Sequence, residues 1–137
     1  MATVYYRSLD NAEVIDVEFL TLQGGTRLLK LLVDSGFTGN SSVILSNDLS
    51  DLVRAQIPAT QTRGALQGPQ ERGWVTCRVP ELNFQRTLIA IITDISLLSL
   101  PPNVLGMAGL SFLRQFTRWG SERTADGWQF LLSKDNS

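Results

Sequence analysis

The sequence predicts a single, mostly β domain. Apolar and acidic residues alternate over residues 15–19, which is the pattern of a half-buried strand. Residues 74–79 also alternate, with Val75, Cys77 and Val79 on one face, and residues 87–92 form an apolar, β-branched run. A chain of 137 residues is long enough to bury one core, so we expect residues 1–137 to form one domain.

The first part of the chain predicts a hairpin that leads into a loop. Residues 23–26, Gln-Gly-Gly-Thr, are a turn signal, and residues 28–33 return as a nearly apolar strand that we expect to be covered on both faces. This strand ends at Asp34, where glycines and hydroxyl residues follow at once. A carboxylate in such a place needs donors to offset its desolvation. The backbone N–H groups of the glycines and the hydroxyls of Ser35 and Thr38 are close by in sequence.

A short strand and a brief helix are predicted after this loop. The strand covers residues 42–45, and Ser46 or Asn47 is suited to cap the helix. Three apolar residues would share one face of that helix: Leu49, Leu52 and Val53.

Composition excludes several classes of function. The chain has no histidine and one cysteine, Cys77, which removes Ser-His and Cys-His mechanisms and nearly all zinc sites. The net charge is −1 with no basic run, which argues against nucleic acid or an anionic membrane as a partner. Residues 1–10 lack the apolar core of a signal peptide. A lone cysteine favours a reducing compartment, so we expect a cytoplasmic protein. We expect no metal or cofactor, because zinc ligands are lacking and the chain has no glycine-rich nucleotide-binding motif.

Residues 31–39, Leu-Leu-Val-Asp-Ser-Gly-Phe-Thr-Gly, resemble the catalytic loop of aspartic proteases, which carry Asp-Thr-Gly or Asp-Ser-Gly after a hydrophobic strand. The likeness is greatest to the single-domain, retropepsin-like kind of the stand-alone bacterial type. Residues 103–116 support it, since these proteins carry a hydrophobic-hydrophobic-Gly segment after their last core strand. The resemblance covers residues 15–132 and implies a retropepsin-like acid protease fold: a closed β-barrel with one short helix after the hydrophobic-hydrophobic-Gly segment.

Two glycines fit that second segment. Residues 104–106, Val-Leu-Gly, fit the loop before them, and residues 107–109, Met-Ala-Gly, fit the helix after them. We favour Gly106 as the glycine that lets this strand approach the catalytic loop. Many bacterial relatives carry an acid two residues after that glycine, whereas this chain has Ala108 or Ser111 there. Helical spacing predicts one buried face after the segment: Leu110, Leu113 and Phe116.

Residues 59–73 contain several glycines among polar residues and favour a solvated loop. Retropepsin-like enzymes have a mobile flap in this interval, in which Gly64 or Gly68 would allow close backbone approach to a bound peptide. Asp94 is the other acid at the end of an apolar strand. It lacks a following Ser/Thr-Gly, so we expect it to lie in a surface turn.

A final hairpin is predicted from residues 116–119 and 128–132, joined by a charged and polar turn. We expect Trp119 and Trp128 to face each other across it. In the family, the terminal strands often form the dimer interface.

The resemblance implies an aspartic endopeptidase that acts as a homodimer. The chain has one Asp-Ser-Gly and no internal repeat, so a second catalytic aspartate would come from a second copy. Asp34, Ser35 and Gly36 would then be catalytic. The substrate, a peptide or an unfolded protein, would contact a further set of residues: Phe37, Thr38, Gly64, Gly68 and Gly106.

Two other functions fit the sequence. One is a catalytically silent peptide-binding or scaffolding domain on the same fold. The other is an unrelated β-rich interaction domain, in which Asp34 only caps a turn.

Overall fold

The computed structural model of this chain describes residues 1–9, 11–59 and 70–135. Their strands, in chain order, are β1 (Ala2–Arg7), β2 (Val14–Leu20), β3 (Thr26–Val33), β4 (Val43–Ser46), β5 (Arg54–Ala59), β6 (Gln70–Val79), β7 (Phe84–Thr93), β8 (Val104–Ala108), β9 (Arg118–Thr124) and β10 (Gly127–Lys134). The α-helix α1 is Leu110–Leu113, and short 3₁₀ segments cover Asn47–Leu52, which is kinked at Leu49, Pro80–Leu82 and Ile95–Leu98. The prediction that the chain is mostly β is therefore confirmed.

Six of these strands close into a barrel. Their order is β2-β3-β8-β4-β7-β6, and β2 pairs again with β6 through Glu18 and Arg78. Strand β8 lies between β3, to which it is parallel, and β4, to which it is antiparallel. The closed barrel that the resemblance implied is thus present, and the loop after β3 emerges beside the end of β8.

Buried and more exposed side chains alternate along the strands as predicted, because every second side chain points into the barrel. Ile15, Val17 and Phe19 are fully buried on β2, and Cys77 is fully buried on β6. The prediction that residues 28–33 are covered on both faces is wrong at the start of the strand, where Leu28 is 66% exposed. This part of β3 pairs with β2 alone, because its pairing with β8 starts only at Lys30.

Helix α1 closes one end of the barrel with aromatic side chains. The Phe112 ring lies edge-on to Phe84 at 6.2 Å between centroids, and Phe116 lies 4.6 Å from Phe84. Leu113 and Phe116 are buried as predicted, but Leu110 is only partly buried and Phe112 is fully buried in its place. The predicted spacing fails because α1 is a single turn, so a helical period does not extend to Phe116.

The 3₁₀ turn Asn47–Leu52 matches the predicted brief helix. Ser46 caps it, since its hydroxyl accepts a hydrogen bond from the Asp48 N–H at 3.3 Å. Leu49 and Leu52 are buried beneath it.

The interval 59–73 begins at the last residue of β5 and ends inside β6, and these two strands pair with each other. Strand β5 runs antiparallel to β6, with Ala59 opposite Gln70 and Arg54 opposite Trp74. The solvated-loop interpretation is therefore wrong for residues 70–73, which continue β6 because they pair with both β5 and β7. Gly64 and Gly68, the predicted flap glycines, lie outside the described residues.

A three-stranded sheet, in the order β1-β10-β9, packs on the barrel. The final hairpin is present, with longer strands and a shorter turn than predicted. Trp119 lies opposite Leu132, and Trp128 lies opposite Arg123, so the two tryptophans do not face each other. The short turn after Thr124 sets this register.

Candidate functional site

The backbone around Asp34 is fixed by hydrogen bonds from two sides. The Val33 N–H donates to the Glu13 carbonyl at 2.8 Å, and the Asp34 N–H donates to the Ala108 carbonyl at 2.9 Å. Asp34 therefore lies where β3 leaves the sheet, directly beside the last residue of β8. Its side chain is partly buried, while Ser35 and Gly36 are exposed.

The Asp34 carboxylate organises its own loop. The Gly36 N–H donates to Asp34 Oδ1 at 2.9 Å, and the Phe37 N–H donates to the Asp34 carbonyl at 3.1 Å. This is an Asx-type turn, in which the side chain replaces one backbone acceptor. A Cβ on Gly36 would lie 3.1 Å from Asp34 Oδ1, so glycine leaves room for the carboxylate.

Gly109, rather than Gly106, lies against this loop. A Cβ added to Gly109 would meet the Phe37 ring and would lie 2.9 Å from the Phe37 carbonyl oxygen. A Cβ on Gly106 would instead meet the Ile44 carbonyl of β4. Both positions need glycine for close packing, but Gly106 allows contact between two barrel strands. The expectation that Gly106 lies against the loop is therefore corrected, because β8 reaches the loop only at its last residue.

Phe37 anchors the loop. Its carbonyl accepts a hydrogen bond from the Leu110 N–H at 2.9 Å, which ties the loop to the start of α1. Its partly buried ring packs against a small apolar cluster on the barrel: Ile44, Ile91 and Met107. Leu32 packs against the same cluster, so an apolar surface continues on the side of β3 that leads to Asp34.

A serine pair, which the sequence did not indicate, fixes α1 to the barrel. The hydroxyls of Ser42 and Ser111 share a hydrogen bond at 3.1 Å, although 69 residues separate them. The Gly109 N–H also donates to the Ser42 carbonyl at 2.9 Å. Ser111 is the second residue after Gly109, the position at which many bacterial relatives carry an acid. Its place in that segment was the one signal in the sequence that could have pointed to it.

An open cleft lies between the end of the Asp34 loop, residues 34–39, and α1. Its volume is about 530 Å³, and six residues line it: Thr38, Gly39, Leu110, Ser111, Arg114 and Gln115. We call it the Arg114 cleft. Thr38 and Arg114 are exposed, while Gln115 is partly buried and donates from Nε2 to the Ser111 carbonyl at 3.3 Å. Thr38, a predicted substrate-binding residue, therefore lies on the wall of a cleft.

Other titratable groups have structural roles. Asp94 is exposed, as predicted, and caps the Ile95–Leu98 turn by accepting the Ser96 N–H at 3.0 Å, which lowers the pKa of its carboxyl. Burial raises the pKa of the Cys77 thiol to about 12, so this thiol is a packed group. Burial also raises the pKa of Tyr6, with help from the negative charges of Glu81 and Asp16.

The described ranges hold neither a metal-binding cluster of side chains nor a helix that could cross a membrane. No group of three or more His, Cys, Asp or Glu side chains there could hold a metal ion. No helix in that part of the chain is long and apolar enough to cross a membrane.

The structure thus brings Asp34, Ser35, Gly36, Phe37 and Thr38 into one loop and adds Gly109 as its close neighbour. Comparison with protein-family models, with curated proteins and with solved structures finds no match for this chain. The retropepsin-like assignment remains a prediction from two sequence segments.

Proposed function

We propose that this chain is an aspartic endopeptidase that works as a two-fold symmetric homodimer. One observation carries the proposal. Asp34 stands at the end of barrel strand β3 with its backbone bonded to Ala108 and its carboxylate in a glycine turn. This arrangement supports catalysis because it holds a carboxylate rigidly at an accessible position.

Chemistry requires a second carboxylate. Cleaving a peptide bond without a metal or a covalent nucleophile needs one base to activate water and one acid to protonate the substrate. Two aspartates that share a proton supply both, since like charges about 3 Å apart cannot both ionise. Each chain has one Asp-Ser-Gly, so a two-fold axis beside the loop would provide the partner subunit's Asp34.

The proposed reaction has two steps. In the first, the ionised aspartate takes a proton from water while the water oxygen bonds to the carbonyl carbon, and the protonated aspartate gives its proton to the carbonyl oxygen. In the second, the aspartate that was protonated in the first step gives its proton to the amide nitrogen, the other aspartate takes a proton from one diol hydroxyl, and the C–N bond breaks as that oxygen forms the carbonyl. The products are a carboxylic acid and an amine, and the pair of aspartates again holds one proton.

The surrounding groups have supporting roles in this proposal. The Ser35 hydroxyl is exposed beside Asp34, which suits hydrogen bonding across the axis. A substrate would lie extended and form strand-like hydrogen bonds, with the flap that the resemblance implies following the paired strand β5 along the chain. The apolar cluster of Ile44, Ile91 and Met107, which Leu32 and Phe37 border, would favour apolar side chains near the scissile bond.

The test is cleavage of an unstructured peptide library, read by mass spectrometry from about pH 4 to 8. Wild type is compared with Asp34→Asn and with Asp94→Asn, the latter a matched control because Asp94 is an exposed turn residue. A pepstatin-type inhibitor forms a further arm. We expect cuts by wild type and Asp94→Asn, which are absent in Asp34→Asn and blocked by the inhibitor. Equal cutting by wild type and Asp34→Asn would reject the proposal.

The second candidate is a catalytically silent peptide-binding domain on the same barrel. The observation that favours it is that a single chain presents one Asp34 carboxylate, already engaged by the Gly36 N–H. A chain that stays monomeric by sedimentation at high concentration, and binds library peptides without cutting them, would support this candidate.

A further inference from the structure

We propose that the Arg114 cleft binds a carboxylate of the peptide substrate, at a position several residues from the scissile bond. This inference rests on the proposed peptide-binding role of the Asp34 loop, and it adds a charge preference to it. The acidic group would be a Glu or Asp side chain of the peptide or its C-terminal carboxylate.

Position is the first argument. Thr38 and Gly39 line the cleft and directly continue the loop that begins at Asp34. The opposite wall is α1, which the Leu110 N–H ties to the Phe37 carbonyl at 2.9 Å. The cleft is therefore built from the same two segments that position Asp34. An extended peptide rises about 3.3 Å per residue, so a chain that crosses Asp34 reaches neighbouring surface within a few residues.

Charge is the second argument. The cleft is lined by one cation, two hydroxyl residues, an amide, a glycine and a leucine, and no carboxylate is among these lining residues. Over the described ranges the ion pairs join Arg27 to Asp51 and Lys30 to Asp16, so Arg114 has no ion-pair partner there. A guanidinium offers a planar set of N–H donors that matches a carboxylate with two parallel hydrogen bonds. Arg114 is exposed and thus accessible to such a ligand.

Rigidity and size are the third argument. The Ser42–Ser111 hydrogen bond holds α1 against the residue before β4, and the Gln115 Nε2 hydrogen bond to the Ser111 carbonyl fixes the Gln115 side chain at the end of α1 beside Arg114. The volume of about 530 Å³ lies within the range of small-molecule sites and exceeds what one ordered water needs. The cleft is therefore a recess with a fixed wall, large enough for a carboxylate side chain, beside the Arg114 guanidinium.

The test measures binding to the full-length Asp34→Asn chain, so that no peptide is cut. The probes are three ten-residue peptides of otherwise neutral composition. One carries a central Glu with both termini blocked, one carries Gln instead, and one carries Gln with a free C-terminal carboxylate. Affinity and the affected residues are read together by ¹H–¹⁵N NMR titration.

We expect the Glu peptide to bind about two- to fivefold more tightly than the blocked Gln peptide, as suits an exposed ion pair. Amide shifts should centre on Ser111 and Gln115. The added variant Arg114→Gln should abolish the difference, while Arg86→Gln, at an exposed arginine on β7, should preserve it. Tighter binding of the third peptide than of the Glu peptide would identify the C-terminal carboxylate as the ligand.

Equal affinities for the Glu and Gln peptides, or a difference that survives Arg114→Gln, would overturn the inference. Cleavage of the same peptides by wild type is measured separately. A carboxylate preference without any cleavage would retain the cleft and reject the endopeptidase, so failure of one proposal is distinguishable from failure of the other.

Discussion

Gly109 and Phe37 are in backbone-level contact: a Cβ on Gly109 would lie 2.9 Å from the Phe37 carbonyl oxygen. Phe37 follows Asp34 by three residues, and Gly109 follows Ala108, which accepts the Asp34 N–H. The contact therefore joins the two segments that define the candidate site. The φ angle of Gly109 is −92°, which any residue can adopt, so glycine is needed here because there is no space for a Cβ.

Gly109→Ala should destabilise the chain by about 1–3 kcal/mol, since the new methyl group has to displace the Phe37 backbone. The measurement is urea unfolding. Gly25→Ala is the matched control, because its Cβ would lie 3.4 Å from Thr21 Oγ1, and it should change stability by less than about 0.5 kcal/mol. Equal effects of the two substitutions would contradict the close approach at Gly109.

Asp34→Asn should separate folding from catalysis. Asparagine can still accept the Gly36 N–H, so stability should stay near wild type, while peptide cleavage falls by about 10²- to 10⁴-fold. Asp34→Ala removes the acceptor and should cost about 0.5–1.5 kcal/mol, towards the lower end because Gly36 is exposed. Urea unfolding and peptide cleavage of both variants check this. A large loss of stability in Asp34→Asn would show that the negative charge itself holds the loop.

Mixing wild type with Asp34→Asn tests whether two aspartates are needed. At a fixed total concentration and a 1:1 ratio, free exchange leaves about one quarter of the dimers with two aspartates. Cleavage should therefore fall to about one quarter of the undiluted wild-type rate. A fall to one half would mean that each chain acts alone.

Cys77 should make stability depend on pH in the alkaline range. Burial raises the pKa of its thiol from 9.0 in the unfolded chain to about 12. Between these values the folded state binds more protons, so stability falls as pH rises, by up to about 1.4 kcal/mol per pH unit. Urea unfolding from about pH 8 to 11 should show a shallower fall for Cys77→Ala than for wild type. The comparison with this variant is needed because burial also raises the pKa of Tyr6. Parallel curves would refute the assignment to Cys77.

The features predicted best from the sequence are those that depend only on neighbouring residues. The alternation that places Val75 and Cys77 inside and Trp74 outside is a property of neighbouring residues, as is the loop from Asp34 to Thr38. Gly106 was chosen over Gly109 as the glycine beside the loop, and that choice was wrong. The sequence pattern cannot distinguish the two, because each glycine follows two apolar residues. Only the three-dimensional approach of the Ile44 carbonyl to one and of Phe37 to the other distinguishes them.

Features that join distant segments were not predictable in the same way. The Ser42–Ser111 bond spans 69 residues, and the Arg114 cleft needs α1 to pack beside the loop. Strand β1 was missed for the same reason, since its alternation is weak and its partner is β10.

The pairing of β1 with β10 also has a consequence for synthesis of the chain. The hydroxyls of Thr3 and Ser133 share a hydrogen bond across 130 residues. The segment Ala2–Arg7 leaves the ribosome long before its partner strand exists, and a contact of such sequence separation forms slowly. The nascent chain therefore has to keep β1 without its partner strand until translation reaches Gly127–Lys134, and the terminal sheet is completed only after all six barrel strands have been made.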